Sequence, residues 1–210
     1  HITHELLIER YNTDLANITG NLISRTIAMT NKYFDGVISN NTTHEAIDEE
    51  LIEMASTLNE KVSKSMEGLH VQEAINHILA VFRRSNKYID ETEPWNLAKD
   101  ESKQDRLQTV LYNLLESIRL GAILLDSFVP KTAQKILDQL NTNHRSFEDS
   151  KTFGLLELNH KIVEKAEILF KRLDMEETME AFNKKEEPLV KKEDLITFEE
   201  FSKVDMRTGI

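Results

Sequence analysis

The 210-residue chain carries a formal net charge of −11 and contains no cysteine. Without cysteine it can form neither a disulfide nor a Cys-ligated zinc site, which agrees with a cytoplasmic protein. The acidic charge excludes a broad basic face for nucleic acid, because such affinity grows with the phosphates neutralised, so any nucleic-acid function must rest on a local site. No segment approaches the roughly 20 apolar residues of a membrane span, and the N-terminus lacks the apolar region of a signal peptide.

Apolar residues recur at three- and four-residue steps in five segments, which predicts five amphipathic helices. In chain order, these helices cover residues 3–34, 47–68, 71–82, 102–125 and 130–140. Six glycines and three prolines are too few for a many-stranded β architecture. The sequence therefore predicts an all-α, up-and-down helical bundle with one shared core.

The sequence changes character after Leu140. Residues 141–160 are expected to form an irregular connection, and residues 161–173 a short helix or an ordered strap. Residues 174–195 are highly charged, which predicts a solvated helix or a linker. Residues 196–210 regain apolar alternation at Val204 and Met206, and we expect them to open another domain that continues in a longer protein.

Two short motifs resemble catalytic signatures. Residues 61–65 read Lys-Val-Ser-Lys-Ser, one substitution from the KMSKS loop of class I aminoacyl-tRNA synthetases, but Val62 lies on an apolar helical stripe and no strand precedes it. Glu157 and His160 form one Glu-x-x-His motif, whereas a di-iron bundle requires two on facing helices. We interpret both as coincidences and predict no catalytic site in this chain.

A polar stripe in the first helix is a candidate binding face. Asn21, Arg25, Ala28 and Lys32 share one side of a helix with about 3.6 residues per turn. They are either ordinary solvated residues or a face that reads nucleic-acid bases. An amide both donates and accepts hydrogen bonds, which suits the Watson–Crick edge of an unpaired base, and a guanidinium donates to base or phosphate oxygens.

The only tryptophan of the chain, Trp95, follows Pro94 in the polar stretch NKYIDETEPWNLAKD, residues 86–100. We expect this stretch to be the connection after the third helix. Trp95 is then either an apolar plug between helix ends or an exposed platform on which a base stacks, with Pro94 restricting the backbone beside it.

Several segments resemble the C-terminal part of bacterial methionyl-tRNA synthetases. The matching segments are RYNTDLANITGNLISR (10–25), NKYFDG (31–36), NKYIDETEPWNLAKD (86–100), RLGAILLDSFVPKTAQKILDQL (119–140), LFKRLD (169–174) and ITFEEFSKVDMRTG (196–209). The resemblance implies an α-helical anticodon-binding domain over residues 1–173. A charged linker over 174–195 and the truncated start of a tRNA-binding OB module over 196–210 would follow.

The resemblance also implies how the site residues act on the CAU anticodon of methionine tRNAs, initiator tRNA included. Trp95, with Pro94, would stack on an unstacked anticodon base. Asn21 and Arg25 would hydrogen-bond the cytosine and its neighbour, and Lys32 would contact a base or the backbone.

The resemblance implies that the longer enzyme ligates methionine to tRNA with ATP and Mg²⁺. It also allows a zinc site, and all of these would bind outside this chain. It implies a homodimer formed through the OB module, and a monomer for this chain alone. The competing hypothesis is a helical protein-interaction module without nucleic-acid binding, which the acidic charge favours.

Overall fold

The computed structural model describes residues 3–184 and 197–203 of the chain. Its helices are α1 (His4–Arg10), a π-helical segment (Tyr11–Gly20), α2 (Asn21–Phe34), α3 (Ala46–Ser56), α4 (Leu58–Glu67), α5 (Val71–Thr92), α6 (Pro94–Leu97), α7 (Gln104–Leu125), α8 (Pro130–Leu140), α9 (Met175–Lys184) and α10 (Phe198–Phe201). Short 3-10 turns cover Glu101–Lys103 and Glu148–Lys151. These residues contain no strand beyond one isolated bridge between Val37 and Lys161. None of the described helices is long and apolar enough to cross a membrane.

The chain divides into two compact units. One unit is Glu9–Arg172, and the other combines His1–Ile8 with Leu173–Ile210. The larger unit contains the helical core and every candidate site residue, so it positions the site.

Helix α7 is the centre of the larger unit. Every residue from Arg106 to Leu125 is buried, and α7 packs against α2, α3, α4, α5 and α8. Its leucines and isoleucines face several neighbouring helices at once, which is the pattern of a helix surrounded by protein. The fourth and fifth predicted helices are confirmed as α7 and α8.

Neighbouring helices do not all alternate in direction: the π-helical segment and α2 run parallel to α5, because Asp14 pairs with Arg83 and Arg25 pairs with Asp90. Asn113 of α7 donates to the hydroxyl of Tyr88 on α5 at 3.3 Å, and Gly121 lies against the ring of Phe82, so α5 and α7 are antiparallel. A Cβ on Gly121 would overlap that ring, so the two helices can approach this closely only at a glycine. The all-helical fold class predicted from the sequence is confirmed within the described residues.

The prediction of a single second helix is wrong, because the chain forms α3 and α4 with a break at Thr57. The Thr57 hydroxyl donates to the Glu53 carbonyl oxygen at 2.9 Å. The same kind of bond occurs inside the unbroken helices α5 and α7, at Ser85 and Thr109, so it does not by itself explain the break. The apolar stripe continues across the break, which is why periodicity alone predicted one helix.

The prediction that residues 86–100 form a connection is also wrong in its first half, because α5 continues to Thr92. Tyr88 and Ile89 are fully buried, so this polar stretch still contributes an apolar face to the core. The helix stops at Glu93, which has a φ of 44°. Pro94 disfavours the right-handed helical conformation for the residue before it, so the helix ends there.

Residues 161–172, which we call the strap, contain no helix. The strap is held by backbone bonds: Ile162 N–H donates to Gly36 O at 3.0 Å, and Val163 N–H donates to Gln139 O at 3.1 Å. Of the two alternatives predicted for this segment, the ordered strap is the one observed.

The smaller unit contains α9 and α10 among its described residues. Thr197 and Glu200 form a capping box at the start of α10. The apolar alternation at Val204 and Met206 lies outside the described residues, as does half of the segment predicted to be a solvated helix or a linker; α9 lies in the other half. The predicted boundaries at residues 173 and 195 therefore stay predictions.

Candidate nucleic-acid interface

The stripe predicted on the first helix lies on the solvent side of α2. Asn21, Ala28 and Lys32 are exposed and the Arg25 side chain is 34% exposed, whereas the opposite face is buried. Lys32 is 11 residues beyond Asn21, which is roughly 16 Å along a helix axis. Lys32 would therefore contact a different nucleotide, or the backbone, rather than the base at Asn21.

Arg25 reaches across to the end of α5. Its Nη2 lies 3.4 Å from Oδ1 of Asp90, in the last turn of that helix. The five residues from Asp90 to Trp95 span at most about 18 Å when fully extended, and the first of them are helical. The structure thus brings Arg25 to the end of α5 that leads directly to Trp95.

Trp95 is displayed at the surface rather than used as a core plug. Its side chain is 38% exposed, whereas the preceding Pro94 is buried at the first position of α6. A buried proline with a fixed φ anchors the backbone on which the indole stands. Lys99 Nζ donates to Oδ1 of Asn96, the residue after Trp95, at 2.9 Å. The Lys99 ammonium is therefore held beside the residue that follows Trp95 in the chain.

A buried polar network fixes the end of α5. Asp48 accepts from the Tyr88 hydroxyl at 2.6 Å and from Arg106 Nη1 and Nη2, both at 2.7 Å. Burial pushes the pKa of Asp48 up, but the hydrogen bonds from Arg106 and Tyr88 outweigh it and hold that pKa below its usual value. Because Tyr88 lies two residues before Asp90, the network holds the turn that carries the partner of Arg25.

Asn21 lies in an open groove of about 440 Å³ between the start of α2 and the strap. The residues lining it are Ala16, Asn17, Gly20, Asn21 and Ser24 on the helical side, and Ile168, Leu169, Phe170 and Arg172 on the strap. A Cβ on Gly20 would lie 3.7 Å from the Phe170 ring and 3.3 Å from the Leu15 carbonyl oxygen. An added methyl group would make ordinary van der Waals contact with the ring, so the strap packs closely against this part of the helix beside Asn21.

The sequence analysis missed three polar groups of this groove, Asn17, Ser24 and Arg172. Asn17 is four residues before Asn21, a spacing that could have placed it beside the stripe. Arg172 belongs to the segment LFKRLD, which carries the family resemblance, but no periodic pattern indicated where the segment would pack.

The two catalytic look-alikes have structural explanations. Residues 61–65 lie inside α4, where Val62 and Ser65 are buried. Glu157 accepts hydrogen bonds from the Thr142 hydroxyl at 2.7 Å and from Asn143 N–H at 2.9 Å, so it orders a loop. Within residues 3–184 and 197–203, no three His, Cys, Asp or Glu side chains gather as metal ligands would.

Solved structures define the class of protein to which this fold belongs. The apo form of Mycobacterium tuberculosis methionyl-tRNA synthetase matches with a TM-score of 0.77 and 32% identity, over 82% of this chain and 35% of that one. The structure of that enzyme bound by methionyl-adenylate matches with a TM-score of 0.76. The fold is thus that of the helical part of an aminoacyl-tRNA synthetase.

Sequence comparison then gives the family. Residues 38–187 match the anticodon binding domain of methionyl tRNA ligase, and the chain belongs to this family. The methionine–tRNA ligase of Caldanaerobacter subterraneus is 47% identical over 99% of this chain, and that of Clostridium tetani is 44% identical over 97%. The chain spans about a third of the length of these relatives. The family match includes Pro94 and Trp95 and begins after Asn21, Arg25 and Lys32.

Proposed function

We propose that this chain reads the CAU anticodon of methionine tRNAs, the initiator tRNA included. The observation that carries the proposal is the contact between Arg25 and Asp90, 3.4 Å long. It joins the exposed face of α2 to the last turn of α5, which ends three residues before Trp95. This contact supports a surface shared by Asn21, Arg25 and Trp95 in a chain of an anticodon-binding family.

Each site residue has a distinct role in this proposal. Trp95, held by Pro94, stacks on an unpaired base, a contact worth about 1–3 kcal/mol. The Asn21 amide bonds the Watson–Crick edge of the cytosine from within the groove, and Arg25 bonds that base or its neighbour. Lys32 meets a phosphate or a further base.

Arg172 adds a guanidinium to the groove, on the side opposite Asn21. A guanidinium there can pair with a phosphate or with a base oxygen. The net charge of the chain is −11, so acidic side chains outnumber the basic ones that could bind phosphate. We therefore expect weak, strongly salt-dependent binding in which the base contacts provide the selectivity.

The remaining elements of the proposal concern the longer enzyme. That enzyme joins methionine to tRNA in the cytoplasm and uses ATP and Mg²⁺. The ATP, the Mg²⁺ and any zinc bind outside this chain. Residues 1–173 form the anticodon-binding domain, residues 174–195 a linker, and residues 196–210 the start of an OB module through which the enzyme dimerises. This chain alone is then a monomer.

The test uses a stem-loop RNA carrying CAU and a matched stem-loop with another anticodon. We expect Asn21→Ala and Arg25→Ala each to weaken binding of the CAU loop about tenfold, because each removes a base contact worth about 1–3 kcal/mol. Binding is measured by fluorescence anisotropy of labelled RNA. Arg83→Ala is the matched control, because Arg83 is an exposed arginine on α5 that pairs with Asp14 at 3.0 Å.

The same experiment separates the proposal from its competitor. A thermal midpoint that falls markedly in Asn21→Ala and Arg25→Ala would mean that these residues form a structural network rather than a reader. Absence of binding to either loop by the wild-type chain would favour a protein-interaction module instead.

A further inference from the structure

Helix α7 carries two charged side chains with no exposed surface, Glu116 and Arg119. They form a two-pronged ion pair, with Arg119 Nε donating to Glu116 Oε2 at 2.8 Å and Nη2 donating to Oε1 at 2.6 Å. Removing two ions from water costs free energy that their mutual attraction does not reliably repay. Such a pair needs further hydrogen bonds, and all of those come from one segment.

That segment is the connection from residue 144 to residue 156. Arg119 donates to three of its backbone carbonyls: His144 at 3.1 Å, Asp149 at 3.2 Å and Thr152 at 2.9 Å. The Glu116 carboxylate accepts from three successive N–H groups: Gly154 at 2.6 Å, Leu155 at 3.0 Å and Leu156 at 3.2 Å. Six hydrogen bonds between the buried pair and the backbone therefore fix the path of this segment. Its one regular element is the 3-10 turn Glu148–Lys151.

The fixed segment runs directly into the strap. Asn159 N–H donates to Ile38 O at 2.8 Å, and the Asn31 side chain donates to Val163 O at 2.8 Å. Farther along, Glu167 N–H donates to Gln139 Oε1 at 2.8 Å. The strap ends with the Phe170 ring edge-on to Tyr11, with ring centroids 6.3 Å apart, where it lines the groove of Asn21.

We propose that Glu116 and Arg119 are positioning residues for base recognition. By fixing residues 144–156, the pair sets where the strap begins and so where Phe170 and Arg172 stand opposite Asn21. The pair makes no contact with RNA and acts only through the strap. This inference rests on the proposed function for its RNA consequence, and on the contacts above for its structural part.

An apolar pair could fill the same space in α7 without the cost of burying two ions. It could not bond six backbone groups of one irregular segment, each of which would be costly to bury without a partner. The ion pair therefore specifies a conformation of that segment, and the groove depends on this conformation.

The test compares three variants. Glu116→Gln removes the charge that pairs with Arg119 and replaces one of the two acceptor oxygens with an N–H donor. Gly154→Ala perturbs the contact between Glu116 and the Gly154 N–H without changing any residue of α7. Gly154 has a φ of 96°, a conformation that strains any other residue. Leu51→Ala, in the core on α3, is the control for a general loss of stability.

Hydrogen exchange is measured first, without RNA. We expect amides of residues 154–156 and 161–163 to exchange at least about tenfold faster in Glu116→Gln and Gly154→Ala, while buried amides of α5 keep wild-type rates. Leu51→Ala should not accelerate the strap selectively. Wild-type exchange at the strap in Gly154→Ala and in any Glu116→Gln protein that folds would overturn the inference.

RNA binding is measured next, well below the thermal midpoint of each variant. We expect Glu116→Gln and Gly154→Ala each to lose about tenfold in affinity for the CAU loop and less than about twofold for the other loop. Leu51→Ala should keep the wild-type ratio of the two affinities. Unchanged selectivity with faster strap exchange would overturn the RNA part of the inference. A wild-type chain that binds both loops equally would instead contradict the proposed function, and faster strap exchange would still support the positioning role.

Discussion

Arg25 on α2 and Asp90 on α5 form an ion pair with an Nη2 to Oδ1 distance of 3.4 Å, and the Asp90 side chain is 67% exposed. In the proposed complex an RNA oxygen would compete with Asp90 for the same guanidinium. Asp90 also places a negative charge beside the path of the RNA backbone. The pair thus links the two helices of the site and opposes the binding of any RNA that cannot replace the carboxylate.

Replacing this carboxylate is expected to tighten the binding of both RNAs by similar factors. Asp90→Asn should bind both the CAU loop and the control loop about two- to fivefold more tightly at low salt, because an exposed charge contact is worth about 0.2–1 kcal/mol. The gain should shrink as salt screens the charge. Glu67→Gln, an exposed acid at the end of α4, is the control and should change little. Weaker binding of every loop by Asp90→Asn would show that Asp90 instead orients Arg25 productively.

The buried carboxylate of Asp48 predicts a specific response to acid. Its pKa in the folded chain is lowered, so its stabilising contribution is present above the unfolded-state pKa of about 3.9 and is lost as pH falls through the folded-state value. Near neutral pH, Asp48→Asn should reduce the free energy of unfolding by up to about 3–5 kcal/mol, because buried Arg106 loses its buried carboxylate partner and keeps only the exposed Glu45 as an ionic partner. Urea unfolding at a series of pH values should show this difference narrowing below about pH 4. A difference that stays constant down to pH 2.5 would contradict the assignment.

The close approach of Gly121 to Phe82 predicts that the central helices tolerate no added methyl group there. Gly121→Ala should cost about 1–3 kcal/mol of stability, which is typical of overpacking in a core. Thermal unfolding measures this as a lower midpoint. Combining it with Phe82→Leu should cost less than the sum of the two single changes, since the smaller side chain removes the clash. Full additivity would mean that the ring does not limit the helix spacing.

Helical periodicity predicted the core helices well, because α7 and α8 carry apolar residues that recur regularly. It missed the last turns of α5 because only Tyr88 and Ile89 face the core there, among polar neighbours. It joined α3 to α4 because the apolar stripe continues across the break at Thr57. A break that leaves the apolar stripe intact has no signature in hydrophobic patterns.

The candidate site also has a part that the sequence predicted and a part that it did not. The exposure of Asn21 and Lys32 was predictable, because these residues lie outside any apolar pattern, whereas the sequence left open whether Trp95 is exposed or buried. The contribution of Arg172 and the burial of Glu116 and Arg119 were not predictable, since they depend on the path of residues 144–172, which has no periodic signal. A charged residue on a leucine-rich helix reads as solvated until the segment that covers it is known.

Intrinsic fluorescence of Trp95 tests the central claim most directly, because it is the only tryptophan in the chain. The wild-type chain is titrated with the CAU stem-loop and with the matched stem-loop carrying another anticodon, at the same low salt concentration. Stacking of an anticodon base on the exposed indole predicts strong quenching by the CAU loop and a much smaller response to the other. Equal responses to the two loops, or no response to either, would contradict anticodon reading at this site.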